Sequence, residues 1–253
     1  MSKKLSVSMF SLVLIMAVGF PAVSAGADPG EKAEILWTER EDLGKASEGI
    51  AAYEELLTEN PEDYKVLLRL SRLHYWVGQI SEGTDKEDAL VHYEKGIEYG
   101  KKASGIDPEK PGGFFFEAAN LARRNNLKGK FTNLWGISKV KKLNKKTASI
   151  DPGYFYNGPD RFFCALYTKL PGLLGGSTSK AIEFGMRALA AFPNYAGNRF
   201  FLAEAYVKDG KNDLARKELE AAVSLPDDAF PDAVPEQRME KKRAEALLNR
   251  IAK

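Results

Sequence analysis

One cysteine, two histidines and no sustained strand-like alternation limit what this chain of 253 residues can be. Cys164 stands alone, so no disulfide forms within the chain, and a small disulfide-stapled secreted scaffold is excluded. It sits between Phe163 and Ala165 on an aromatic helix, which reads as a small buried hydrophobe and not as a nucleophile. His74 and His92 fall on separate helices with no HExxH-type spacing, so no metal centre is predicted. His74 reads as a packing or groove histidine. No isolated pair of carboxylates sits in an apolar setting, so general acid–base catalysis has no candidate. The reading is of a non-enzyme with no catalytic residue and no cofactor.

Only one long apolar run is present, Leu5 to Phe20, behind the basic pair Lys3 and Lys4. It is short for a membrane span of about 20 residues. Small residues follow from Ala22 to Ala27. The pattern predicts a secretory signal peptide over 1–27, cleaved near Ala25 or Ala27, in preference to a retained membrane anchor. No cysteine stands at the cleavage site, so a lipoprotein is not expected. Export without disulfides suits a bacterial periplasm, and a secreted chain seldom meets nucleic acid. Lys3 and Lys4 are the only charges before Asp28, so the chain from there on balances 35 basic against 35 acidic residues.

What is present is helix. Apolar residues recur at i, i+3 and i+4 between glycines and prolines. Helices are expected near 33–59 (broken around Gly44), 62–79, 86–105, 112–125, 130–148, 155–169, 178–191, 195–209, 212–224 and 236–252. Within them runs a degenerate tetratricopeptide (TPR) pattern of about 34 residues. Its best copy has Leu202, Ala203 and Tyr206 on one helix, Gly210 in the turn, Ala215 and Leu219 on the next, and Pro226 closing. A second copy uses Leu70, Ser71, His74, Gly78, Ala89 and Tyr93, with six extra residues, 81–86, in its turn. No such helix pair buries its apolar face alone, so neighbours must stack. The fold class is therefore all-α: an irregular stack of about ten TPR-like helices, an α-solenoid, over 28–253. The helix 236–252, apolar on one face and charged on the other, caps it.

The order of motifs resembles the T component of TRAP transporters, periplasmic helical proteins built on divergent TPR units. The resemblance runs from about Arg40 to the C-terminus. It is carried by Asn60-Pro61, Leu70 to Tyr75, His92-Tyr93-Glu94 with Gly100, Ile150 to Tyr154, and Leu170-Pro171 with Leu174-Gly175-Gly176 and Ala181. It ends on Leu202-Ala203 with Tyr206 and Arg243-Ala244 with Leu247-Leu248. The resemblance implies a soluble partner of a solute-binding protein in a secondary uptake system for organic acids or other amphipathic solutes.

Two features lie outside the repeat. Residues 118–150 hold nine basic residues and no acidic one. Lys139, Lys141, Lys142 and Lys145 make a candidate face for docking an acidic partner; anionic lipid headgroups and a merely solvated face are the alternatives. Aromatic residues crowd 114–116, 154–156 and 162–167 on several helix faces, so they cannot all enter one seam. The candidate groove for a ligand or partner is Tyr75, Trp76, Phe115, Tyr154, Tyr156, Arg161, Phe162 and Tyr167, with Arg161 placed to hold a carboxylate. Gly172 to Lys180 (GLLGGSTSK) lacks the Gly-x4-Gly-Lys-Ser/Thr spacing of a phosphate loop and reads as a helix–helix elbow.

Taken with the resemblance, which implies the solute-binding partner, these observations lead to the expectation of a periplasmic, non-enzymatic adaptor that docks a solute-binding protein and holds a hydrophobic or carboxylate ligand, and they allow a homo-oligomer. The second reading is a TPR scaffold for assembling a cell-envelope complex.

Overall fold

Aspartates and one serine start the helices where the sequence pattern changes. Asp42, Asp63 and Asp85 accept hydrogen bonds from the backbone N–H groups of Lys45, Val66 and Asp88, each at 3.0 Å, and Ser177 accepts from Lys180 at 3.3 Å. The computed structural model describes residues 28–252, the side chains of 130–135 excepted. The expected signal peptide lies outside the described residues.

Among the described residues eleven α-helices follow in order: α1 (Pro29–Thr38), α2 (Leu43–Glu59), α3 (Tyr64–Ser81), α4 (Lys86–Ile106), α5 (Gly112–Lys128), α6 (Lys130–Ile150), α7 (Tyr154–Lys169), α8 (Thr178–Ala191), α9 (Ala196–Lys208), α10 (Asn212–Val223) and α11 (Val234–Ile251). Short 3-10 turns occupy Gly172–Leu174 and Pro231–Ala233. The break expected around Gly44 falls at 39–42 instead, because Asp42 caps α2 and leaves Gly44 inside its first turn. The last helix starts at Val234, two residues early, with Pro235 where a missing N–H costs nothing.

Each helix packs on the next, and α3, α5, α7, α9 and α11 also touch in succession, which gives the layered path of an all-α TPR-like solenoid. Small residues permit the close crossings. A Cβ on Gly113 would lie 2.4 Å from the Ser104 backbone nitrogen, so α4 and α5 meet there backbone to backbone. A Cβ on Gly185 would lie 3.0 Å from Cys164 Sγ and from a Leu202 methyl. Cys164 is fully buried at that crossing, and burial pushes its thiol up to about 12.

The ends of the solenoid meet. Trp37 on α1 lies under three guanidinium groups, those of Arg69, Arg40 and Arg72, at 3.9, 4.1 and 4.6 Å from the ring centre. The same cations reach the start of α11. Arg40 donates to Glu236 at 2.6 Å, while Arg72 donates to Glu236 at 2.8 Å and to Asp232 at 2.8 Å. The Trp37 indole N–H also donates to Asp232, at 3.2 Å. Burial alone would raise the Asp232 carboxyl, but Arg72 and Arg69 hold it below the usual range. Helix α11 therefore does more than cap: it ties the last hairpin to the first.

A second buried polar pair joins α3 and α4. His74 and His92 face each other with their Nδ1 atoms 2.9 Å apart, and His74 stacks on Tyr99. Burial, with help from His92 and Lys95, pushes the His74 ring down to about 3, and burial lowers His92 against the opposing pull of Asp88.

Two outcomes follow for stability. Glu236→Gln leaves Arg40 and Arg72 short of a buried counter-charge and is expected to cost roughly 3–5 kcal/mol, read from the urea midpoint. The histidine pair is neutral when folded and takes up protons readily only when unfolded, so its contribution is whole above the ordinary histidine value of 6.5 and is lost as pH falls from there toward 3. The expected slope is up to ~1.4 kcal/mol per pH unit for each histidine, and it is flattened below about pH 6.5 in a His74→Gln/His92→Gln variant.

Candidate functional site

Pro159 sets the local geometry of the site. Its nitrogen has no hydrogen to give the carbonyl of Phe155, four residues earlier, and its ring would clash with that carbonyl in a regular helix. The chain answers with three successive left-handed residues: Phe155 (φ 49°, ψ 53°), Tyr156 (59°, 47°) and Asn157 (59°, 43°). For residues with a side chain this costs about 1–2 kcal/mol each. The helix expected over 155–169 is present as α7, and its first turn differs in being left-handed.

The carbonyls set free are taken up by one side chain. Arg161, 8% exposed, donates from Nη2 to Phe155 O at 3.0 Å and from Nη1 to Tyr156 O at 2.9 Å. Its Nη1 also donates to Asn198 Oδ1 at 2.8 Å, and Asn198 Nδ2 donates to Tyr156 O at 3.1 Å. The guanidinium lies over the Tyr195 ring at 4.7 Å. Among the described residues no carboxylate pairs with it.

Arg161 stands in the wall of a cavity of about 240 Å³ formed by α3, α5, α6, α7, α9 and α11. Most of the wall is apolar, with Ala119, Ala122, Val140, Phe162, Leu166 and Met239 on four of these helices. The polar groups there are mostly spoken for. Arg123 donates to Gln79 at 2.6 Å and to Glu82 at 3.4 Å. Burial works against its charge, but Tyr75, Glu82 and Tyr93 outweigh that and keep it protonated. Arg243 donates to Glu240 at 3.0 Å and lies over Phe200 at 4.6 Å. Glu236 is held by Arg40 and Arg72.

Of the eight groove residues expected from the sequence, four line this cavity: Tyr75, Phe115, Arg161 and Phe162. The other four lie elsewhere. Trp76 is 3% exposed on another face of α3, in the core, and its indole N–H donates to the Arg40 carbonyl at 2.6 Å. Tyr154 packs edge-on against Phe115 at 5.5 Å, outside the lining. Tyr156 is stacked on Tyr195 at 4.7 Å and lies 4.3 Å from the Phe230 ring. Tyr167 is stacked on Phe184 on the side of α7 away from the cavity lining. The sequence reading missed Gln79, Arg123, Tyr195, Met239, Glu240 and Arg243, which join the cavity only because α3, α5, α9 and α11 converge.

On α6, Lys142 and Lys145 are exposed, Lys141 lies 6.0 Å from the Tyr167 ring, and Lys139 pairs with the buried carboxylate of Glu117 at 2.8 Å. Three of the four expected docking lysines thus carry no carboxylate partner among the described residues, and Lys139 is engaged within the fold. Among the described residues no group of three or more histidine, cysteine or carboxylate side chains is placed to hold a metal, and no helix is long and apolar enough to cross a membrane.

If Arg161 holds the left-handed turn, Arg161→Lys keeps the charge and loses the fork that grips two carbonyls. Hydrogen exchange at the amides of 155–158 is then expected to quicken by about tenfold, while exchange in α10 stays as it is.

The path of the helices is shared with a thermophilic TPR protein of Thermus thermophilus, at 19% identity and a TM-score of 0.61, over 87% of this chain and 100% of that one. A crystal structure of MamA matches at 17% identity and a TM-score of 0.43, over 86% of this chain and 99% of the other. No curated protein sequence matches this one. The family model of the TRAP transporter T-component matches residues 114–253, which span α6 to α11 and nearly all of α5, the helices that build most of the cavity. The chain belongs to the TRAP transporter T-component family.

Proposed function

We propose that the protein is a periplasmic, non-enzymatic accessory of a TRAP-type uptake system that docks the solute-binding protein and holds a hydrophobic or carboxylate solute in its central cavity. The observation that carries this reading is the cavity itself: a mostly apolar pocket between α3, α5, α6, α7, α9 and α11, in a chain of the T-component family. A TPR scaffold that grips a peptide needs an open groove, and here Glu236 on α11 is tied across to Arg40, just after α1, and to Arg72 on α3. The cavity is at the small end for a binding site, which suits a compact solute better than a peptide. Docking falls to the α6 face, where Lys141, Lys142 and Lys145 present positive charge that speeds and orients encounter with an acidic partner. Export through residues 1–27, with cleavage near Ala25 or Ala27, puts the protein in the same compartment as that partner.

The purified protein, used as bait in a periplasmic extract of its own organism, is expected to recover a solute-binding protein identified by mass spectrometry. Reversing the charge at Lys141, Lys142 and Lys145 should reduce the recovery by about tenfold at low salt, with less difference at high salt. Recovery of envelope-assembly proteins alone would replace the transporter role with the scaffold.

A further inference from the structure

The cations that line the cavity are not equivalent. Arg123 and Arg243 have carboxylate partners in Glu82 and Glu240. Lys169 has none among the described residues, but it is exposed and water compensates its charge. Arg161 is the remaining one, and it is buried. A guanidinium out of water without a counter-ion is costly, and neutral oxygens relieve only part of that cost. Three hydrogen bonds occupy three of its five N–H groups: both on Nη1 and one on Nη2. The N–H groups left over are that of Nε and the second on Nη2. Nε and Nη2 share one edge of the fork, the edge that matches the two oxygens of a carboxylate.

We propose that Arg161 is the head-group site of the cavity and takes the carboxylate of a small amphipathic organic acid, side-on through Nε and Nη2. This rests on the cavity's being a solute site. The apolar body of the acid lies among Ala122, Val140, Phe162 and Leu166. The volume, room for about eight waters at ~30 Å³ each, fits a chain on the order of ten non-hydrogen atoms. The left-handed turn is the positioning device. It presents the carbonyls of Phe155 and Tyr156 side by side at the far edge of the guanidinium, and Asn198 braces the same edge, so the fork is fixed before the ligand arrives. A phosphate has a third oxygen that this two-donor edge leaves unmatched.

The test is calorimetric titration of the purified protein with octanoate, octan-1-ol and octyl phosphate. Octanoate is expected to bind tighter than octanol by roughly tenfold or more, the size of a charge-assisted hydrogen bond, and tighter than octyl phosphate. Arg161→Lys should remove the preference for octanoate while octanol still binds, and Lys169→Ala should leave the preference intact. If Arg161→Lys does not fold, the wild-type protein labelled with ¹⁵N-arginine answers the same point: octanoate, and not octanol, moves one Nε–H resonance downfield. Equal binding of octanoate and octanol, a preference that survives Arg161→Lys or vanishes in Lys169→Ala, or tighter binding of the phosphate overturns the assignment while the cavity reading stands. Binding of none of the three overturns both.

Discussion

The ion cluster between α1, α3 and α11 is the constraint on which the rest of the structure depends. A solenoid of helix pairs is held only by nearest neighbours, and nothing in that arrangement brings its ends together. Here Arg40, Arg69 and Arg72 gather over Trp37 and meet Asp232 and Glu236, which lie 160 to 196 residues further along the chain from their partners. Such a cluster contributes little net stability, because each ion gives up water to join it. What it contributes is direction. An apolar seam tolerates sliding, whereas two carboxylates shared among three guanidinium groups fix where α11 lies.

The cavity is a consequence of that closure. Met239, Glu240 and Arg243 reach it from α11, one to two turns beyond Glu236 on the same helix. Phe155 links the two regions, since its ring lies 4.9 Å below the Arg72 guanidinium and it also lines the cavity. The cation that closes the ring and the residue that starts the left-handed turn are therefore in direct contact. Most polar groups in the cavity wall are paired with one another, and among the described residues the buried Arg161 guanidinium has neutral oxygens but no carboxylate as partners.

The helices were legible in the sequence because their signals are local: the spacing of apolar residues, and aspartate, proline and glycine at the ends. The same locality explains what was misplaced. Tyr75 and Trp76 were assigned together to a groove, yet adjacent residues on a helix point about 100° apart, and only Tyr75 faces the cavity. Tyr167 lies outside the lining for the same reason: Phe162 and Leu166, four apart, share the inner face, and Tyr167 is turned away from it. Arg161, which lines the cavity, is conspicuous in the sequence as a lone cation among aromatics. Arg123 is not, because it lies in a run of basic residues that reads as a solvated face. No local signal pairs Arg72 with Glu236.

Pro159 was the one local sign that α7 does not begin as a regular helix, and it reports the break without its form. Three left-handed residues cost roughly 3–6 kcal/mol together, against a net stability of about 5–15 kcal/mol for a typical domain. A regular start to α7 would avoid that cost, and a different residue at 159 would permit it. The turn persists because Arg161 and Asn198 take its carbonyls and because Phe155 and Tyr156 are clamped between aromatic neighbours from α5, α9 and the Phe230 loop. Arg161 lies on α7 itself, but Asn198 and the aromatic neighbours come from elsewhere in the chain, so the turn depends on the assembled fold. Local strain held by tertiary contacts concentrates where a site requires a fixed geometry. In this protein it lies in the cavity wall, at a guanidinium that pairs with no carboxylate among the described residues.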